Sequence, residues 1–192
     1  MTKKYRYIAT GNTTPLDDTN HQTVRVDRKA LRKAENEEYL KDANVQALLG
    51  AIAWAEGGNY HAKYGYGWAK GDWSFKDEST HPGAGYGGST TAAGMYQITK
   101  QNWEENGTKK MGISDFSPKT QDLIAIEGLR HVGSIDAVVA GDIGSAISKA
   151  AATWNALPLG KDKANRVHGQ PYKKYEAVVE KYKSLGGTTT RE

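Results

Sequence analysis

A glutamate stands where an apolar side chain is expected. Val45, Leu48, Leu49, Ile52 and Ala53 recur at i, i+3, i+4, i+7 and i+8, the spacing of one apolar helix face. Glu56 follows at i+11, about 20° from Val45 around the same helix, and Gly57-Gly58 ends the run. Apolar surroundings disfavour an ionised carboxylate, and so does the negative end of a helix dipole, so Glu56 is expected to hold its proton to higher pH. An acid still protonated near neutral pH can hand that proton to the leaving oxygen of a glycosidic bond. The same spacing also fits a last-turn glutamate that bends out to solvent, and the pattern by itself leaves both open.

Other reactive types are sparse. There is no cysteine, which excludes disulfides and thiol chemistry. The five histidines, at 21, 61, 81, 131 and 168, are scattered and show no metal-ligand spacing, so no cofactor or metal is expected. Asp72, Asp77 and Glu78 are the candidates for a second carboxylate; as a type they read first as surface turn residues. The segment from Tyr60 to Ile98 is dense in Gly, Tyr and Trp, and aromatic faces stack on sugar rings. Within it, "TAAGMYQI" places small residues before Tyr-Gln, as in a strand that a ligand approaches closely.

These residues need a scaffold. A chain of 192 residues is long enough for one domain with a real core. Residues 1–27 are rich in Thr, Asn and Asp and show no sustained period, and "DRKALRKAENEEYLKDAN" reads as a charged surface helix. Residues 1–43 are therefore expected to be an N-terminal extension, partly flexible, ahead of a catalytic domain over 44–188. Asn44 is placed to cap the helix that carries Glu56. Short strands and loops are expected over 60–98. Thr99 then caps a short helix containing Trp103, and Ser117-Pro118 opens the next. "DIGSAISKAAATWNALP" keeps one apolar face until Pro158, and a last helix starts at Pro171 and ends at Gly186-Gly187. The expected class is α+β, mainly α, with a small antiparallel sheet flanking a cleft.

The order of "AWAEGG", "STTAAGMYQI", "DFSPKTQD" and "TWNALP" resembles the phage lambda endolysin family of lysozyme-like lytic transglycosylases. "DESTHP" resembles the family's acidic-Ser-acidic-His-Pro segment, with Thr80 in place of the second acid, and "SLGGT" matches its C-terminal end. The resemblance covers about residues 44–188. It implies a lysozyme-like fold and cleavage of the β-1,4 bond between N-acetylmuramic acid and N-acetylglucosamine in peptidoglycan. It implies that Glu56 is the single catalytic acid. It gives Gly94, Tyr96 and Gln97 to the cleft wall and His81 to the neighbouring loop. It makes Leu157 to Pro171 a mobile lip, with His168 and Gln170 as contacts. This lip is longer than the family's and reads "HGQ" where the family has Tyr-Gly-Gln.

Rival classes remain at this point. One is a hydrolytic muramidase with a second acid. Another is a glycan-binding or virion structural module on the same scaffold. A nucleic-acid binder is disfavoured, because a net charge of +4 is modest and the basic residues form no recognised motif with exposed aromatics. Residues 160–192 hold eight Lys/Arg against four Asp/Glu, while 44–159 hold nine against eleven, so the basic bias lies toward the end of the chain. Peptidoglycan glycan strands are the expected partner, the expected state is a monomer, and no stable membrane insertion is expected. "MTKKYRYIATGNTTPLDD" has no apolar stretch after its lysines, which argues against a secretory signal. Access to the wall is then expected from the host cytoplasm through a holin-type pore, or from the virion.

Overall fold

The computed structural model describes residues 4–8 and 21–25 by their backbone and residues 26–192 in full. The expectations for residues 1–3 and 9–20 lie outside the described residues. β1 (Lys4–Ile8) and β2 (His21–Arg25) pair in parallel, Lys4 opposite His21 and Ile8 opposite Arg25. No regular structure was expected there.

α1 (Arg28–Tyr39) starts at Asp27, whose carboxylate accepts from the Lys29 and Ala30 N–H groups at 2.9 and 3.2 Å. It is not a free surface helix. Asn36 is fully buried against α4 (Pro118–His131), and Arg32 makes a two-pronged contact to Glu127 of α4 at 2.9 and 3.0 Å. α1 is therefore held onto the body through Arg32 and Asn36.

α2 (Ala43–Glu56) is capped by Asp42, which accepts from the Val45 N–H at 3.0 Å, and not by Asn44. Asn44 instead accepts from the N–H and hydroxyl of Thr188, at 2.8 and 3.0 Å, and ties the C-terminal tail to the start of α2. Ala47 and Ala51 are buried as well as Val45, Leu48, Leu49 and Ile52 of the expected stripe, with Ala53 half-buried, so α2 is a hub enclosed on most sides. Gly57, at φ 67°, closes it with the left-handed turn that favours glycine.

Between Tyr60 and Ile98 the expected antiparallel sheet reduces to isolated antiparallel bridges, Ala62 with Ser74, Lys63 with Ala93 and Ala93 with Ile98. Eight glycines in this stretch favour turns over extended ladders. α3 (Lys100–Asn102) is capped by Thr99 as expected and runs into a π-helical turn over Trp103–Lys109. α4 opens at Ser117 with Pro118 in its first position, also as expected. α5 (Ile135–Val139) and α6 (Ile143–Ala150) follow. α6 stops before Trp154, and α7 (Tyr175–Ser184) starts four residues after Pro171. Those four residues are outside any helix or strand, with the Lys173 N–H donating to the Ala156 carbonyl at 2.9 Å. Leu48, Ile52, Phe116, Leu123, Ile126, Ile147 and Leu157 form one continuous core between α2, α4 and α6. Among the described residues, no helix is long and apolar enough to cross a membrane.

Candidate active site

Glu56 is the last residue of α2, and the surrounding chain fixes where that helix ends. Gly58 lies against the Met95 carbonyl, so closely that a methyl group in its place would overlap that oxygen. The end of α2 is thereby pressed onto the turn Ala93–Ile98. Gln121 of α4 locks the same turn from beneath. It is fully buried; its Oε1 accepts from the Met95 N–H at 2.9 Å, and its Nε2 donates to the Tyr60 and Phe116 carbonyls, both at 3.0 Å. Every polar atom of that amide is used, which is the condition for burying it at low cost.

The result is a cleft of about 670 Å³ beside Glu56. Tyr96, Gln97 and Ile98 form one wall; Trp154, Asn155 and Ala156 form the other. Among the described residues, Glu56 is the single acid that lines it. Its Oε1 accepts from the Ala156 N–H at 3.3 Å. Burial pushes the carboxyl above its ordinary range, and this one hydrogen bond opposes the shift without cancelling it. The arrangement suits a group that starts as an acid and can become a base in the same reaction.

The other candidates fall at different depths. Tyr96 lines the cleft but is 5% exposed, and its hydroxyl donates to Asp122 at 2.7 Å. Gln97, also in the wall, has φ 51° and donates from Nε2 to the Gly94 carbonyl at 3.1 Å. Gly94 lies behind the wall. At φ 75° it donates to the Ala62 carbonyl at 2.7 Å, and a side chain there would collide with Gln121. His81 is buried behind the wall too, its ring 4.6 Å from that of Phe116. Its Nε2 lies 3.0 Å from the Ile98 carbonyl and its Nδ1 accepts from the Gly83 N–H at 3.1 Å, so the proton belongs on Nε2. Burial pulls its pKa down and keeps it neutral. His81 thus supports the wall from behind and takes no place in the cleft lining. Gln170 lines the cleft, whereas His168 lines an adjoining recess.

The candidates for a second acid are elsewhere. Asp72 and Asp77 close local turns onto the Ser74 and Ser79 N–H groups at 2.9 and 2.8 Å, and hydrogen bonds from the backbone and side chain of Ser74, and from the side chain and backbone of Ser79, hold the two carboxyls below their ordinary range. Glu78 pairs with His61 at 2.6 Å.

Sequence reasoning missed Gln121 and Asp122. Asp122 accepts from the Tyr60 and Tyr96 hydroxyls at 2.8 and 2.7 Å. Burial raises its pKa against those two hydrogen bonds, and burial beside this carboxylate pushes Tyr60 up to about 12. The signal was present as two adjacent polar residues inside an apolar helix, "TQDLIAI". Tyr64 enters the cleft, and Trp68 meets it edge-on at 5.3 Å from outside the lining.

A mainly helical body with a lone half-buried acid at the end of its hub helix, opening on a cleft, defines a lysozyme-like fold. It superposes on bacteriophage lambda lysozyme complexed with a chitohexasaccharide at a TM-score of 0.65, with 28% identity, covering 77% of this chain and 96% of that one. A second structure of lysozyme from bacteriophage lambda gives 0.61 and 27% identity, with the same coverage of both chains. The endolysin of Escherichia phage lambda is 32% identical over 151 residues, 74% of this chain and 91% of the relative. The endolysin of Escherichia phage P2 is 33% identical over 122 residues, 59% of this chain and 70% of the relative. The family model described as Endolysin matches residues 46–189, and the chain belongs to the endolysin family.

Proposed function

We propose that this endolysin degrades peptidoglycan as a lytic transglycosylase, cutting the β-1,4 bond between N-acetylmuramic acid and N-acetylglucosamine with Glu56 alone. Protonated Glu56 gives its proton to the glycosidic oxygen, and the bond from that oxygen to C1 of the muramic acid breaks. The carboxylate left behind takes the proton of the C6 hydroxyl of the same sugar, whose oxygen bonds to C1. The products are a 1,6-anhydromuramic end and a free N-acetylglucosamine hydroxyl, and no water is consumed. Glu56 ends protonated, ready for the next cut. Tyr96, Gln97 and Gln170 hold the strand as parts of the cleft wall, and Gly94 and His81 shape that wall from behind.

The observation that carries this reading is one acid, with burial raising its pKa, as the sole carboxyl of the cleft among the described residues. A two-carboxylate glycosidase needs its partner within about 5–9.5 Å across the bond. Asp72, Asp77 and Glu78 are committed to turns and to His61 outside the cleft lining. The saccharide bound to the lambda lysozyme supports a glycan as occupant.

Mass analysis of the fragments released from purified peptidoglycan tests it. Anhydro-muropeptides are expected. Reducing ends carrying an added water would make the chain a hydrolase. Sedimentation with the wall without any soluble fragment would make it a binding module. Delivery to the wall through a holin-type pore or from the virion is consistent with this chemistry.

A further inference from the structure

The lip holds a second recess that cleavage of the sugar backbone leaves unused. It measures about 630 Å³ and shares Gln170 and Pro171 with the cleft of Glu56. Arg166 and His168 stand on its wall. Arg166 is anchored to the cleft, because its Nη2 donates to Asn155 Oδ1 at 3.1 Å and Asn155 is a cleft residue. Asn165, 8% exposed, fastens the lip at two more points through Nδ2, to the Asn155 carbonyl at 2.8 Å and the Gln170 carbonyl at 3.3 Å. Recess and cleft are thus held in one register.

This segment is basic, and Arg166 is its one Lys/Arg that lines the recess. From Leu157 to Lys174 the chain carries five Lys/Arg against the single acid Asp162. A guanidinium with one N–H engaged still presents donors in the planar fork that matches a carboxylate. Muramic acid supplies such a group: its lactyl ether carries a stem peptide with free carboxylates. The lactyl ether stands on O3 of the muramic acid, so the stem branches from the same sugar whose C1 is placed at Glu56.

We propose that the recess of Arg166 and His168 receives a carboxylate of the stem peptide, so that the lip selects peptide-bearing muramic acid. This rests on the peptidoglycan-cleaving reading above. The ligand class is an anionic peptide attached to the sugar at the cut, and Arg166 is its principal contact.

The test compares initial rates of the full chain on intact sacculi and on the same sacculi stripped of stems by an amidase. The ratio of the two rates is the readout. For the wild type it favours intact sacculi, and Arg166→Ala is expected to lower the ratio about fivefold, the size of one charge-assisted contact at a partly open site. Arg166→Lys restores part of the ratio, since it keeps the charge but not the fork. Equal loss on both substrates, or no loss on either, overturns the proposal. Arg166 is exposed, and an unchanged melting temperature excludes misfolding as the cause. A wild-type chain that cuts neither substrate overturns the enzymatic reading itself. One that cuts both with a ratio Arg166→Ala leaves unchanged overturns only the lip assignment.

Discussion

Glu56 and Glu127 are both glutamates drawn out of water, and the chain treats them in opposite ways. Glu127 is fully buried and surrounded by donors: Arg32 at 2.9 and 3.0 Å, Asn36 at 3.1 Å and Lys110 at 3.1 Å. Burial alone would raise its pKa, but these hydrogen bonds together hold it below the ordinary range. Glu56 has one long hydrogen bond from a backbone N–H and no cation, and burial prevails. What separates Glu56 from the structural Glu127 is therefore the number of donors supplied to it, not the depth of burial. Glu127 fastens α1 to α4. Glu56 keeps its raised pKa because a single backbone N–H reaches it.

The largest effect that could break this contrast is on catalysis. Glu56→Gln keeps the shape and removes the transferable proton, so peptidoglycan cleavage should fall at least about 100-fold. Its melting temperature near neutral pH should equal or exceed that of the wild type, because an ionised half-buried carboxylate is gone. Retention of a tenth of the activity would take the acid role away from Glu56.

Glu127→Ala should do the reverse. Removing one partner of a buried charge cluster strands the others, though Arg32 and Lys110 can reach solvent, so a loss of roughly 2–3 kcal/mol in unfolding free energy is expected. Cleavage per folded molecule should persist, because Glu127 is not among the cleft-lining residues. Chemical denaturation and rate measurements on the same preparation separate the two quantities. A stable but inactive variant would mean that α1 is coupled to the cleft.

Acidification sharpens the contrast further. Glu127 has a folded pKa below its unfolded value, so its contribution is present above the ordinary carboxylate range and is lost as pH falls through the lower, folded value. Glu56 has its folded pKa above the unfolded value, so it favours the fold at low pH and loses that contribution as pH rises through the raised value. Denaturation midpoints of wild type and Glu127→Ala should therefore converge on acidification, while those of wild type and Glu56→Gln should converge only there and separate toward neutral pH. Parallel curves in either pair would remove the assigned titration.

The local signals proved legible where one residue type suffices to set a conformation. Ser117-Pro118 opened α4, Thr99 capped α3, and Gly57 ended α2. Glu56 stood out as a charge in an apolar stripe, though the stripe alone left open whether it faced a cleft or bent out to solvent. What escaped depends on partners far away in sequence. Nothing near Asn44 says that it binds Thr188 instead of capping its own helix. Nothing near Arg32 announces Glu127, 95 residues on. The same holds for His81, which the resemblance gave to the loop beside the cleft wall, while its position behind the wall is set by Ile98 and Phe116. The expected sheet reduced to bridges because glycine-rich chain can turn at many points, and the pattern of aromatics does not say which.

Asp122 gives the smallest and most exacting comparison, because it lies between the two glutamates in kind. It is partly buried like Glu56, yet it accepts from two hydroxyls, Tyr60 and Tyr96. Those donors are neutral, and burial still prevails, so its folded pKa is raised. The folded chain then binds the proton more tightly than the unfolded chain, and stability declines as pH rises from the ordinary carboxylate range through the raised value. Asp122→Asn retains an oxygen to accept from both tyrosines and carries no charge. Relative to wild type it should gain stability across that window, by no more than one hydrogen bond's worth, roughly 1 kcal/mol. Asp122→Ala leaves both hydroxyls without their acceptor and should lose stability by about the same amount or somewhat more. Denaturant midpoints of the three proteins at matched pH values decide it. An Asn variant that loses stability toward neutral pH would show that two neutral hydroxyls can do for a carboxylate what Arg32 and Lys110 do for Glu127, and that Glu56 is set apart by its place at the cleft rather than by its lack of a cation.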